Sequence, residues 1–346
     1  MPEPICINGE WITPSNLTLW RSGKDCFDAA LADFLQEWYN ESPYMQLHTS
    51  GSTGTPQSIL AQKDAMRASA RLSCEKFGLT RHSTVLLSLP LQYIAGKMMV
   101  VRALMSGADI LPTDPSSTPL EKLHQMVDFA PLVPMQAATT LRRPNGREQL
   151  ERVRCILLGG GFIDAALERE LQEVNSAVFA SYGMTETLSH IALRRVNGPE
   201  RTEWYTPLPG VSISLSPQDT LCISATHLGI ADLETNDLAE IAPDGRFRIL
   251  GRRDSVINSG GIKIQAEDVE QQLSAATGLS LLVAPAPDAI LGQCISLFWE
   301  GPLHAEASLR HAISALPTYQ RPRLVRHVDS LPRTATGKIK RQVYNI

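Results

Sequence analysis

The chain has 346 residues, 43% hydrophobic and 20% charged, with a formal net charge of −4. That suits one large domain, or two unequal ones, of an ordinary soluble globular protein, and it excludes bulk attraction to nucleic acid or an anionic membrane. Six scattered cysteines (Cys6, Cys26, Cys74, Cys155, Cys222, Cys294) with no C-x-x-C pair indicate reduced thiols in a cytoplasmic protein and exclude a disulfide framework or zinc site. The N-terminal MPEPICINGEW lacks the basic and apolar regions of a signal peptide, and no apolar run approaches the length of a membrane span.

In chain order, residues 1–46 read as irregular with one helix, Asp25 to Tyr39. Lys63 to Phe77 reads as a helix ended by Gly78. TVLLSL (84–89) is a short buried strand, Gly96 to Met105 an apolar helix closed by Gly107, and ADIL (108–111) the next strand. Pro119 to Phe129 reads as a further helix. VRCILLGGG (153–161) is a strand and glycine turn, with Asp164 capping the helix that follows, and AVFASYG (177–183) is a strand entering a loop. The alternation implies a doubly wound α/β layer with ligands beyond the carboxyl ends of its strands. After Gly198 short β segments take over (ISLS, LCIS, LAEI, FRIL), with Asp244-Gly245 a hairpin turn between the last two. A smaller α+β region follows GRRD (251–254): a strand pair about Gly260-Gly261, a helix from Ala266 to Leu273, strands LLVAP and CISLFW, a helix from Ala305 to Leu316 and a basic tail. The division expected is a large N-terminal domain, 1–253, and a small C-terminal one, 254–346.

Four stretches gather chemistry. LHTSGSTGTPQS sets hydroxyls and glycines side by side: Thr49, Ser50, Gly51, Ser52, Thr53, Gly54 and Thr55. Backbone N–H groups that approach closely at glycine, beside hydroxyl donors, suit phosphate oxygens; a flexible linker is the other reading. SYGMTET carries Tyr182 to stack on a base, Thr185 to bond a phosphate and Glu186 to hold a hard cation such as Mg2+, or is a surface loop that caps a helix. TNDLAEIAPDGRFRILGRRD carries Asp237 and Arg252, able to bind a diol, or a solvated ion pair on a hairpin. LPRTATGKIKRQ places Lys338 after a glycine in a Thr-rich tail, where solvent exposure is the plain alternative.

In order and spacing, TSGSTGTP, YGMTE, TND with GRRD, GGIKI and PRTATGKI resemble the acyl-adenylate-forming superfamily of acyl-CoA ligases, luciferases and adenylation domains, from Leu47 to Arg341. LPLQYIAGKMMVVRALMSGADI, ILLGGGFI and SYGMTETLSHIALR are most similar to the short o-succinylbenzoate–CoA ligases of menaquinone biosynthesis. The resemblance implies an ATP-, Mg2+- and coenzyme A-dependent ligase acting through an acyl-adenylate, on a large α/β domain with a β-rich segment and a small mobile α+β domain hinged at Asp254. It implies Lys338 as the cation between substrate carboxylate and α-phosphate, Thr185 on the α-phosphate, Glu186 on Mg2+, and Thr49–Thr55 on the β/γ-phosphates. Gly159, Gly160 and Gly161 would face adenine, Asp237 and Arg252 the ribose, Gly260 and Gly261 a pantetheine tunnel, and Tyr93 the acyl pocket.

There are two departures. The phosphate loop ends Pro56-Gln57 where relatives usually have Pro-Lys, so a charge is missing unless Lys63 supplies it. Only 46 residues precede that loop, fewer than in most relatives. The implied acid has two carboxylates, one of which does not react. Arg102, on the otherwise apolar MMVVRALM, is the candidate to read it, or is a snorkelling surface arginine; Ser189, His190 and Arg194 are secondary. Rival readings are another acyl- or aryl-CoA ligase, an adenylation domain that loads a carrier protein, and a nucleotide-binding module without catalysis. The partners implied are small molecules, not nucleic acid or membrane, with a homo-oligomer left open.

Overall fold

The computed structural model describes residues 3–21, 26–48, 58–333 and 339–340, with backbone alone at His48. The chain divides into two compact units, Met1–Phe162 with Glu170–Ser212 and Ser224–Ala231, and Ile163–Arg169 with Ile213–Ile223 and Asp232–Ile346. Asp254 lies inside the second of these. The phosphate-loop residues Thr49 to Gln57, and Lys338, lie outside the described residues.

From its start the chain runs β1 (Ile5–Ile7), β2 (Glu10–Ile12), α1 (Leu17–Arg21), α2 (Cys26–Tyr39), β3 (Tyr44–His48), β4 (Ser58–Gln62), α3 (Lys63–Phe77), β5 (Thr84–Leu87), α4 (Ile94–Ser106) and β6 (Asp109–Pro112). It continues β7 (Val127–Leu132), α5 (Pro134–Leu141), α6 (Gly146–Glu151), β8 (Val153–Leu158), α7 (Ala165–Leu171), β9 (Ala177–Gly183), β10 (His190–Arg195) and β11 (Thr206–Pro207). A nine-stranded sheet takes the order β11-β10-β9-β8-β7-β5-β6-β1-β2. Its six inner strands, β9 to β1 in that order, are parallel; the outer ones pair antiparallel. Parallel strands covered on both faces are continuous apolar runs, as Val85-Leu86-Leu87 and Ile156-Leu157-Leu158 are, all buried. The strand order reverses between β5 and β7, with β6 on one side of β5 and β7 to β9 on the other. At such a reversal the crossing loops part and leave a crevice beyond the carboxyl ends.

Two expectations fail here. Pro119 to Phe129 is not a helix: residues 119–126 form turns and bends, and Val127–Leu132 is strand β7, between β5 and β8. A short apolar run such as VDFAPLV has no period that separates buried helix from buried strand, and the ladder on both sides decides. Nor is the N-terminus irregular. Asn8 (φ 51°) and Gly9 (φ 79°) form the two-residue turn of the β1–β2 hairpin, and β1 extends the sheet beside β6. Asn-Gly at both positive-φ positions is a hairpin signal that INGEW carries in plain sight.

Beyond this, β12 (Ser212–Leu215), β13 (Thr220–Ala225), β14 (Ile230–Ile241) and β15 (Phe247–Arg252) form a sheet in that order, with Gly245 (φ 82°) in the expected β14–β15 turn. The last segment is β16 (Val256–Ser259), β17 (Ile262–Gln265), α8 (Ala266–Thr277), β18 (Ser280–Asp288), β19 (Gly292–Glu300), α9 (Glu306–Ala315) and β20 (Leu324–His327). Strand alternation sorts its side chains. Leu281, Val283, Leu297 and Trp299 pack against Val269 and Leu273 of α8 and Leu309 of α9, whereas Leu282, Ala284 and Phe298 pack with Leu331 in a second cluster. All six cysteines are free thiols. Among the described residues no helix is long and apolar enough to cross a membrane.

Candidate active site

Four stretches leave the carboxyl ends of β5, β7, β8 and β9 around the reversal of strand order: Ser88–Tyr93, Val133-Pro134, Gly159–Gly161 and Met184–Ser189. Tyr93 is half-buried just before α4. Gly159 donates its N–H to the Leu132 carbonyl at 3.1 Å. A Cβ on Gly159 would stand 2.6 Å from the Ser181 hydroxyl, which itself donates to the Leu158 carbonyl at 3.0 Å. The glycine turn therefore lies tight against β9, with its backbone available to a planar ligand edge. In the next loop Thr187 accepts from the Met184 N–H at 2.9 Å, and the Leu188 N–H bonds the Thr185 carbonyl at 3.0 Å. Gly183 permits this tight return: a Cβ there would lie 2.2 Å from the Ser189 carbonyl oxygen. The Tyr182 and Tyr205 rings meet edge to face at 6.0 Å. Thr185 is half-buried and Glu186 exposed.

The same loop delivers Ser189 and His190 to Arg102. The guanidinium is 2% exposed; its Nη2 donates to Ser189 Oγ at 2.5 Å and to His190 Nδ1 at 3.3 Å. Its Nε is buried with no partner among the described residues, and no carboxylate among them pairs with it. Arg102 is thus no snorkelling surface arginine. Burial draws its pKa down to about 10, so it stays cationic at neutral pH. An unpaired buried cation is destabilising by several kcal/mol, roughly, until an anion joins it. Burial, and then the Arg102 charge, hold His190 well below the ordinary histidine value. On its far side His190 Nε2 meets Ser73 Oγ at 3.1 Å. The only trace of Ser73 in the sequence is a serine four residues after Ser69 on the buried face of α3. Arg194 donates to the Thr202 carbonyl at 3.1 Å and lies over the Tyr205 ring.

Lys63 is engaged among the described residues. It is buried, and its Nζ donates to the Asn40 carbonyl at 3.1 Å and to Asn40 Oδ1 at 2.9 Å. Lys63 follows the Tyr44–Gln62 end of the β3–β4 hairpin, whereas the phosphate loop joins the His48–Ser58 end. Four residue steps at ~3.4 Å separate the two ends of the hairpin by about 14 Å. We expect Gln57→Lys to lower the ATP KM, because a charge-assisted bond is about twice as strong as a neutral one. Lys63→Ala should lower the melting temperature and leave that KM near wild type. A large KM rise in Lys63→Ala at unchanged stability would contradict the geometry.

In the second unit Asp237 and Arg252 pair across β14 and β15, with Arg252 Nη1 3.5 Å from Asp237 Oδ1. Arg252 also grips Asp254 with two bonds, at 2.9 and 2.8 Å, and that hydrogen-bonded partner raises its pKa further. The expected ribose pair and the expected hinge residue thus share one guanidinium. Gln265, which no sequence pattern marks, holds the strand by donating to the Arg252 carbonyl at 2.9 Å. Gly260 (φ 59°) and Gly261 (φ 84°) are the two central residues of the β16–β17 turn, both in the left-handed region; this turn demands glycines whatever else it does. A Cβ on Gly260 would lie 2.9 Å from Leu291, but one on Gly261 meets nothing within 4 Å. Gly261 is therefore the cleaner probe of a tunnel. Gly261→Ala should destabilise by about 1–2 kcal/mol from backbone strain with both half-reactions retained. Gly261→Leu should keep pyrophosphate release and lower CoA transfer by an order of magnitude or more. Equal loss of both steps in Gly261→Leu would make the glycine purely structural.

Among the described residues no three His, Cys, Asp or Glu side chains group as a metal site. Mg2+ bound through one or two carboxylates plus substrate phosphates needs none, so the exposed carboxylate of Glu186 fits a metal that arrives on a polyphosphate.

Residues 16–225 match the AMP-binding enzyme family, and the chain belongs to it. It is 28% identical over 317 residues to the 2-succinylbenzoate–CoA ligase of Lactococcus lactis, covering 86% of this chain and 69% of that one. It is 30% identical over 261 residues to the Escherichia coli protein of the same name, covering 70% of this chain and 55% of that one. The chain thus spans between about half and seven-tenths of these two relatives. Among solved structures, an acyl-CoA synthetase (AMP-forming)/AMP-acid ligase II-like protein from Dyadobacter fermentans matches at 33% identity and TM-score 0.65, over 95% of this chain and 96% of that one. The o-succinylbenzoate CoA synthetase of Bacillus subtilis in complex with its acyl-adenylate intermediate matches at 26% identity and TM-score 0.74, over 87% and 69%.

Proposed function

We propose that the chain is an AMP-forming acid–CoA ligase whose acid is 2-succinylbenzoate. The observation that carries the substrate is the buried Arg102 guanidinium, held by Ser189 and His190 with Nε unpartnered and no carboxylate paired among the described residues. Its helix α4 follows the carboxyl end of β5, and the loop after β9 meets it. A diacid offers one carboxylate to react and one to complete this cation; a fatty acid or benzoate offers only the first.

The reaction has two halves. A substrate carboxylate oxygen attacks the α-phosphorus of ATP and displaces pyrophosphate, leaving an acyl-adenylate. The thiolate of coenzyme A then attacks the acyl carbonyl and expels AMP. In the first half two anions meet, so cationic groups placed where charge develops are the main requirement. In this reading Lys338 bridges carboxylate and α-phosphate, Thr185 bonds the α-phosphate, and the Thr49–Thr55 loop takes the β/γ-phosphates. Glu186 and the phosphates would hold Mg2+, which would neutralise phosphate charge. The Gly159–Gly161 backbone and Tyr182 face adenine; Asp237 and Arg252 face the ribose. Residues 254–346 turn about Asp254 between the halves, withdrawing Lys338 and presenting Gly260 and Gly261 to coenzyme A.

Pyrophosphate release, measured with 2-succinylbenzoate, benzoate and fatty acids with and without CoA, tests the reading. The expected result is selective turnover of 2-succinylbenzoate and formation of its CoA thioester. Preference for a mono-acid would remove the substrate assignment but keep the chemistry; adenylation without thioester formation would favour a carrier-protein acceptor.

A further inference from the structure

We propose that His190, held in one tautomer between Arg102 and Ser73, is a positioning residue that holds the Arg102 guanidinium by Nη2 and leaves its Nε–H for the substrate's non-reacting carboxylate. Arginine has only donors. Its Nη2 lies 3.3 Å from His190 Nδ1, so Nδ1 must be the acceptor and the ring proton sits on Nε2. Nε2 then donates to Ser73 Oγ at 3.1 Å, and the Ser73 hydroxyl spends its proton on the Ser69 carbonyl at 3.2 Å. Ser189 Oγ takes the second bond from Nη2 and lies 3.2 Å from Nδ1. The chain Arg102–His190–Ser73–Ser69 has one self-consistent set of proton positions. It occupies Nη2 and leaves Nε unused. Phe77 packs edge to face on the imidazole at 6.1 Å, which fixes the ring plane. An arginine side chain free to turn would offer its fork in many directions; this one is held at Nη2 by two acceptors, and pre-organisation of that kind lowers the entropy lost on binding.

The inference rests on the proposed reading of Arg102, and the test separates the two. His190→Asn keeps an acceptor near the Nδ1 position; His190→Gln keeps an amide near Nε2, toward Ser73, and leaves Arg102 without its acceptor. With 2-succinylbenzoate, His190→Gln should raise KM about 10-fold, the scale of one charge-assisted bond, with kcat little changed. His190→Asn should stay much closer to wild type. For a mono-carboxylate analogue lacking the non-reacting group, neither variant should shift KM. Equal losses in both variants, or equal losses on both acids, would overturn the positioning role. A readout that needs no substrate is the 15N spectrum of His190: wild type should show Nδ1 unprotonated and Nε2 protonated, and Ser73→Ala should retain that tautomer, because the Arg102 donor still excludes a proton from Nδ1. The opposite tautomer in wild type overturns the proposal even if Arg102 proves to read the carboxylate. The expected tautomer, with no discrimination between acids in Arg102→Ala, would fault the substrate reading instead.

Discussion

Arg102→Ala should lower kcat/KM for 2-succinylbenzoate by about 10- to 100-fold, since a hydrogen bond to a charged group contributes ~1.5–3 kcal/mol and each ~1.4 kcal/mol is a decade. The mono-carboxylate analogue should lose far less. The comparison decides the matter, because Arg102 is buried and its removal also leaves a void and strips partners from Ser189 and His190. A folding defect depresses both substrates alike; loss of a carboxylate contact depresses one. Arg102→Lys is informative beside it. A lysine keeps the charge but has no planar fork to match a carboxylate while bonding His190, so it should recover part of the loss only. Equal loss on both acids would make Arg102 a structural cation.

The second large effect is expected at Lys338. Lys338→Ala should reduce pyrophosphate release by at least about 100- to 1,000-fold, the range seen when one preorganised donor is removed from a developing anion. It should spare thioester formation from acyl-adenylate supplied ready-made, because in the second half-reaction the negative charge leaves with AMP and, in the proposed reading, the lysine is withdrawn. Measuring each half separately checks this. Parallel loss in both halves would assign Lys338 to substrate binding or to folding.

Much of the fold was legible where local signals agree. Lys63–Phe77 carries helix formers on one apolar face and stops at Gly78, which donates to the Cys74 and Glu75 carbonyls. Ala177–Gly183 and the Asp244-Gly245 turn likewise stand where they were expected. Asp164 caps its helix through the Leu167 N–H at 2.7 Å. Val127–Leu132 was not legible, because what makes it a strand is the pair of neighbours, Thr84–Leu87 and Val153–Leu158, far away in sequence. The β1–β2 hairpin is marked in the sequence by its Asn-Gly turn alone, since its three-residue strands are too short to show alternation.

The candidate site divides along the same line. The order of the motifs, the absence of a lysine at Gln57 and the glycines at 159–161, 183 and 260–261 are properties of the sequence alone, because each expresses a local demand: donors in a row, or backbone without a Cβ. Three-dimensional packing decided the rest. It buried Lys63 against Asn40, 23 residues earlier. It also carried Arg102 to Ser189 and His190, 87 and 88 residues away, and His190 to Ser73, 117 residues away. Whether a charge is solvated, paired or left waiting for a ligand depends on which distant strands and helices exclude water from it, and no local pattern encodes that.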